Sequence, residues 1–422
     1  MWISSLHQAT HQSSYRIRFW FSLSLIFAAL YGLLALQQAF SSEYIIQDDA
    51  RQHVFWMRRF LDSSLFPDDL LADYFQSVAP LGYSTIYKIM AAVGIDPVSF
   101  SKIIPLLLGL VMTGYCFGIS MELFPIPLAG FIASLLLNQN LWMQDGLISG
   151  TPKAFVLPIM LAFLYYLLRR SLLGVGMAIA FLGLFYPSLV FVCGALLILQ
   201  LGKFDRGWPY LSQNRRDYSF CLTSLGVAFV ILLPYALSSS EFSPVLTATQ
   251  ARALPEFLPQ GRIRFFVDDP WSFWLHGRSG IGLAAALTPP LIYSGLLLPI
   301  LLNYPTRFPL TKQVTGKIIV LPQLLLASGL IFLAAHALLF KLHLPSRYTQ
   351  HSLRIVVALA AGIVLSVIID TAFSVVRRVR EEFSHKLGQS PPSPPNLGGT
   401  GISSSCSSPL DQSPPSSPNL GG

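Results

Sequence analysis

Two pairs of adjacent carboxylates carry the most chemical potential in this chain. One is Asp48-Asp49, in Ile46-Gln47-Asp48-Asp49-Ala50-Arg51-Gln52-His53; the other is Asp268-Asp269, in Arg262-Ile263-Arg264-Phe265-Phe266-Val267-Asp268-Asp269-Pro270-Trp271. Paired carboxylates can coordinate a hard divalent cation through oxygen, or one of them can take the proton of a hydroxyl as general base. Groups suited to an anion lie elsewhere: Arg252, Arg262, Arg264, Arg278 and Arg347, with Lys153 as a weaker candidate. A guanidinium grips phosphate through two parallel hydrogen bonds, whereas an ammonium offers a point charge. Arg347, in the short connection Leu344-Pro345-Ser346-Arg347-Tyr348, ranks first among them. His53, Trp271, Trp274 and His276 supply rings that can stack on a sugar or bond its hydroxyls.

Each of these also has a plainer role. Asp49 and Gln52 have capping-box spacing, which opens a helix from Ala50 to about Leu61 with Ala50, Val54, Met57 and Leu61 on one face. Arg51, Arg58 and Arg59 would then turn toward water or lipid phosphate. Trp271 and Trp274 fit an interfacial aromatic belt, and Arg347 an interfacial anchor. Asp268-Asp269 runs straight into Pro270 without a following amphipathic helix, and so ranks second to Asp48-Asp49.

The elements that must position these residues are apolar. Of 422 residues, 53% are apolar and 11% charged, against about 25% charged in an ordinary soluble domain. Ten apolar segments recur, at about 19–40, 103–124, 126–141, 154–168, 172–187, 188–202, 219–237, 281–303, 318–340 and 353–373. About 20 such residues cross a hydrocarbon layer of about 30 Å. The expected fold is therefore all-α, a polytopic transmembrane helical bundle of about ten spans, with surface helices in the first outer loop. The first span is too long for a cleaved signal peptide and should remain as an anchor. The membrane domain covers 1–387, with long outer loops at 41–102 and 238–280. The segment 388–422 is Ser/Pro/Gly-rich, carries QSPPSPPNLGG and then QSPPSSPNLGG, and is expected to be a disordered cytoplasmic tail.

The net charge is +8, from 28 Lys+Arg and 20 Asp+Glu. With both termini cytoplasmic, 15 basic and 7 acidic residues fall inside, and 13 of each outside. The excess thus follows the positive-inside rule and gives no reason to expect nucleic acid. Ionisable residues within the segments are few: Glu122 and Asp370 near inner ends and His336 near an outer end. They form no charged path of the kind a proton-driven pump needs. Three of the four cysteines sit in apolar runs, and none has disulfide-framework or zinc spacing.

An acidic pair just after the first span, in a long outer loop with surface helices, within a chain of about ten spans, resembles the GT-C superfamily of membrane glycosyltransferases. The resemblance rests on the 46–53 stretch and the first seven segments. It implies a sugar donated from a polyprenyl phosphate to a glycan or lipid acceptor on the outer face, in a bacterial inner membrane. It implies catalytic and metal-holding roles for Asp48 and Asp49, with Mg or Mn as the cation. Arg347, Arg278, Arg262 and Arg264 would bind the donor phosphate, and His53, Trp271, Trp274 and His276 would contact acceptor or sugar. No soluble carboxy-terminal domain of the kind larger members carry follows the last span. Two other classes compete. A transporter or flippase for lipid-linked glycans would exploit the proline-broken segments, though no repeat relates the halves. An O-antigen-type polymerase or ligase would rest on Arg262 or Arg264 rather than on acids.

Overall fold

The computed structural model describes every residue except 1, 44, 143–148, 206–207, 238–241, 243–244, 343 and 389–422. The expected disordered tail, apart from Gly388, lies outside the described residues. One compact unit runs from Met1 to Ala372 and a second from Phe373 to Gly422.

Helices dominate the first unit. After α1 (Trp2–Ala39) come four short pieces on the first loop: α2 (Asp48–His53), a 3-10 segment (Phe55–Phe60), α3 (Leu70–Ser77) and α4 (Leu81–Ala92). Then follow α5 (Pro97–Leu123), α6 (Pro127–Trp142), α7 (Val156–Leu168), α8 (Leu172–Phe185) and α9 (Val190–Leu199). A two-stranded antiparallel ribbon pairs Gly202 with Leu211 and precedes α10 (Arg215–Leu237). The second long loop carries α11 (Ala248–Ala253) and α12 (Pro270–Leu275). It leads to α13 (Leu283–Ala286), α14 (Leu298–Asn303), α15 (Val320–Ala337) and α16 (Ser346–Gly388).

Each of the ten apolar segments thus folds largely as helix, but their lengths differ from expectation. Among the described residues five helical stretches are long and apolar enough to cross a membrane: Ser14–Ala39, Pro97–Leu123, Arg215–Leu237, Gly316–Ala337 and Ser346–Glu381. The segments at Pro152–Leu168, Leu172–Phe185, Pro187–Leu199 and Pro290–Asn303 are shorter, as is α6. At about 1.5 Å per residue they reach only about 20–26 Å, less than a hydrocarbon layer. Proline explains part of this, because Pro152, Pro187 and Pro290 each open a 3-10 turn where regular helix was expected. The long helices turn apolar side chains outward. Ile26, Leu33 and Leu34 on α1, and Leu222, Phe229 and Val230 on α10, are each more than half exposed, as faces bathed in lipid would be.

The core is built by α1 against α5 and α6, α5 against α7, α7 against α8, α8 against α10, and α9 against α15. Side-chain hydrogen bonds join the helices where lipid offers no alternative partner. Asn138 donates to Thr113 across α5 and α6 (2.8 Å), and Ser328 donates to Ser352 across α15 and α16 (2.6 Å). At the crossing of α6 and α16, a Cβ on Gly362 would lie 2.6 Å from the Ala129 carbonyl, so only glycine permits that approach. Glu122 is held by Lys317 (2.5 Å) and Arg169 (3.8 Å), and Arg170 meets Asp217 (3.1 Å). In the second unit the described residues, 373–388, are helical, with an exposed Arg377–Glu381 pair one turn apart.

Candidate functional site

The first carboxylate pair is set by where α2 begins. Gln47 has extended backbone (φ −64°, ψ 145°) and its carbonyl accepts the first helical bond, from the Arg51 N–H at 3.1 Å. Asp48 and Asp49 therefore occupy the first turn, and the expected capping box at Asp49 and Gln52 does not form. Nor does one helix run to Leu61: it ends at Val54 and resumes as the 3-10 segment. Ala50, Val54 and Met57 are buried as expected, but Leu61 is 48% exposed, because the tighter 3-10 winding rotates it off their face. The arginines are not free for lipid either. Arg58 pairs with Asp96 (3.1 Å), Arg59 with Asp73 (2.7 Å), and Arg51 donates to the Ile46 carbonyl (2.9 Å).

Four of the loop's eight acids are thereby assigned to structure. Asp69 caps α3 at Leu71 and Ala72, Asp96 caps α5 at Ser99, and Asp62 binds Ser64. Asp48 is exposed and Asp49 partly buried. Successive helical positions diverge by about 100°, so the two do not converge on one point.

Lys153 stands in the 3-10 turn Pro152–Phe155, between buried Pro152 and Ala154. The turn is pinned on three sides. Ser149 and Thr151 share a hydroxyl hydrogen bond (2.9 Å), Tyr87 donates to the Gly150 carbonyl (2.7 Å), and Gly150 has a left-handed φ of +56°. A Cβ there would fall 2.5 Å from the Ser101 carbonyl. Arg278 and Arg347 are brought together by backbone: Ser346 N–H donates to the Arg278 carbonyl (3.4 Å), and the Thr349 hydroxyl to the Ile281 carbonyl (2.9 Å). The Arg347 guanidinium lies over the Tyr186 ring at 5.9 Å, a stacking that fixes its plane.

These groups, far apart in sequence, share one electrostatic field. Asp49 acts on His53, Lys153 and Arg278, and Arg347 acts on the same three. Burial pulls the His53 imidazole below its ordinary pKa; Asp49 opposes the shift and Arg347 adds to it. Burial also lowers the Lys153 ammonium, with Asp49 opposing and Arg354, Arg347 and Arg278 adding. Arg278 is lowered by partial burial, then by Arg347 and Arg262, against Asp49. One partly buried carboxylate thus sits among Lys153, Arg278 and Arg347, a composition suited to a proton acceptor beside an anion.

Two members of this cluster escaped the sequence reading. His351 and Arg354 are 1% and 4% exposed, and with Arg347 they form an i, i+4, i+7 stripe on α16. Arg354 acts on both His351 and Lys153, and Lys153 acts on His351. Arg354 falls one residue inside the apolar segment beginning at 353 but is one of the 13 basic residues assigned above to the outer side. The helical spacing from Arg347 was the signal that it belonged to a buried face.

The other expected site residues lie elsewhere. Arg262 is exposed yet within the field of Arg278, whereas Arg264 is exposed with φ +42°. Arg252 lies over the Phe266 ring at 5.0 Å. Asp269 does precede a helix, capping α12 through Ser272 N–H (2.7 Å), and so serves structure. Trp271 is 74% exposed and His276 is exposed. Trp274 packs at a tilt against His336 (ring centres 5.0 Å apart), which also meets Phe332 and Phe273 and bonds the Ser279 carbonyl (2.9 Å). Among the described residues no hydrogen bond, ion pair or ring contact joins Trp271, Trp274 or His276 to Asp49. Among the described residues no three His, Cys, Asp or Glu side chains gather to hold a metal.

Two cavities flank the cluster. The larger, about 620 Å³, is walled by Phe191, Phe229, Leu232 and Leu233, and reaches Pro187 and Tyr348, the chain neighbours of Tyr186 and Arg347. The smaller, about 240 Å³, is lined by Gln38, Ile46, Gln47, Ala50, Lys102 and Ser149. No protein-family model matches this sequence, and no curated protein is similar to it.

Proposed function

We propose that the chain is a membrane glycosyltransferase of GT-C type, moving a sugar from a polyprenyl-phosphate donor to a hydroxyl of a glycan or lipid acceptor. The observation that carries this is the pairing of one partly buried carboxylate, Asp49, with Lys153, Arg278 and Arg347 beside an apolar cavity. An anionic head joined to a long apolar chain matches that pairing, and a water-soluble nucleotide sugar does not. In the reaction, Asp49 takes the proton of the acceptor hydroxyl as its oxygen bonds to the anomeric carbon. The bond from that carbon to the phosphate oxygen breaks, and the phosphate leaves with the electron pair. Lys153, Arg278 and Arg347 hold the charge that develops on it. His53, one turn from Asp49, is kept neutral near pH 7 by burial and bonds the acceptor. No step runs through a metal.

The proposal extends to topology. The five shorter helices complete a ten-span arrangement in a bacterial inner membrane, with the 41–102 and 238–280 loops outside and both termini cytoplasmic. Purified protein in proteoliposomes, given polyprenyl-phosphate-linked sugars and a membrane glycan extract, is expected to release polyprenyl phosphate and glycosylate the extract. Movement of the intact donor between leaflets without its consumption would instead establish a flippase.

A further inference from the structure

The smaller cavity has a chemistry of its own. Its wall combines Ala35, Ala39, Ile45, Ile46 and Ala50 with five polar side chains, Gln38, Gln47, Lys102, Ser149 and Ser101, the last donating to the Val98 carbonyl. Two of the polar groups point to a ligand. The Gln47 side-chain oxygen is buried and has no hydrogen-bond partner, a costly state unless a donor arrives. Lys102 lies with its ammonium 4.9 Å from the Phe40 ring centre, a cation and donor with nothing to accept. An anion would satisfy Lys102 but oppose the Gln47 oxygen, and an ammonium would do the reverse. A neutral hydroxyl both donates and accepts, and so answers both. The alanine and isoleucine faces suit the C–H face of a ring. At about 240 Å³ the cavity has room for one polyol ring.

We infer that this cavity is the acceptor subsite, binding a single neutral, hydroxyl-bearing ring through Gln47, Gln38, Lys102 and Ser149. It rests on the glycosyltransferase reading only for the word acceptor. Gln47 and Ala50 bracket the first turn of α2, and Asp49 sits about 100° round that turn from Ala50. A ring in the cavity therefore needs to offer a hydroxyl across one helical position to reach the proposed base.

The full-length protein in detergent can be tested by thermal shift with methyl hexosides, with glycolipid in mixed micelles, and with inorganic phosphate. A saturable shift from the free hexoside, or from the glycolipid alone, is expected; the first identifies a glycan end and the second a lipid headgroup. Gln47→Leu, and separately Gln38→Leu, should weaken that response roughly tenfold or more, about the loss of one buried hydrogen bond. Their phosphate response serves as the check that each variant is folded. The absence of a response to both hexoside and glycolipid, or a response undiminished in both variants, would overturn the inference. Binding that needs Gln47 in a protein that transfers sugar from no lipid donor would keep the subsite and remove the glycosyltransferase.

Discussion

Replacing Asp49 by Asn separates the proposed base from everything else the residue does. The amide keeps the shape and cannot take a proton, so the loss expected in kcat is that of a general base, about 10²- to 10⁴-fold, or about 2.7–5.4 kcal/mol of barrier. Stability should barely move: an acid in the first turn of a short, partly exposed helix contributes about 0.3–1 kcal/mol. Anion binding should move the other way. Asp49 is a counter-charge acting on Lys153 and Arg278, so its removal leaves the cations less compensated, and inorganic phosphate should bind about two- to fivefold more tightly. Asp48 is exposed, and Asp48→Asn is the matched control, expected to stay within about threefold of the parent. Transfer is followed by release of labelled lipid phosphate, and phosphate affinity by thermal shift. The reasoning is refuted if Asp49→Asn retains transfer within tenfold, or if it weakens phosphate binding.

Four further outcomes follow from particular contacts. Arg347→Gln should raise the donor KM roughly 10- to 150-fold, the value of a charge-assisted hydrogen bond, with Arg347→Lys recovering only part because it cannot stack on Tyr186; an unchanged KM would remove Arg347 from the donor site. His53 has a folded pKa below its unfolded one, so the unfolded state binds the extra proton first as pH falls below about 6.5. Stability present above that pH should decline on acidification, and His53→Gln should flatten the decline in pH-dependent thermal unfolding. Chelation with EDTA should leave transfer intact, since the proposed reaction routes no step through a metal; loss of activity restored by Mg or Mn would return Asp48 and Asp49 to that role. Gly150→Ala adds left-handed strain of roughly 1–3 kcal/mol to a 2.5 Å clash with Ser101, so it should lower the unfolding midpoint and disturb the turn holding Lys153.

The helices were legible because apolar runs have few other folds open to them. Their lengths were less so, since a proline at the start of a run converts the first turn to 3-10 geometry and shortens the helix. At the site, the types and the loops were legible: Asp49 in the first, Arg278 in the second, Arg347 before the last long helix. What no local pattern carries is that hydrogen bonds from Ser346 and Thr349 fold the 278–281 segment onto the start of α16. The sequence reading also treated Asp48 and Asp49 as a unit, whereas one residue of helical rotation separates an exposed acid from a partly buried one. Its error over Arg354 had the opposite cause, a residue judged by proximity to a loop when its spacing from Arg347 was that of a helix face.

The positions of the charged groups follow a common physical constraint. Backbone at membrane depth that is not helical must face protein or water, because lipid cannot satisfy its polar groups. Two proline-opened 3-10 turns contribute to the cluster: Pro152–Phe155 carries Lys153, and Pro187–Leu189 begins just after Tyr186, the ring beneath Arg347. Such turns leave carbonyls and N–H groups outside the regular ladder, and these need polar surroundings of the kind an ionic site supplies. The same turns shorten the helices that follow them, so departure from full-length spans and assembly of a charged site have one origin. The buried stripe of His351 and Arg354 then falls where it is least costly, behind Arg347 and within the field of Lys153, on the helix face turned to those irregular starts. The Asp49 carboxylate lies in the field of those cations and offsets part of their charge, which is why that acid is better explained by the cations around it than by the helix it begins.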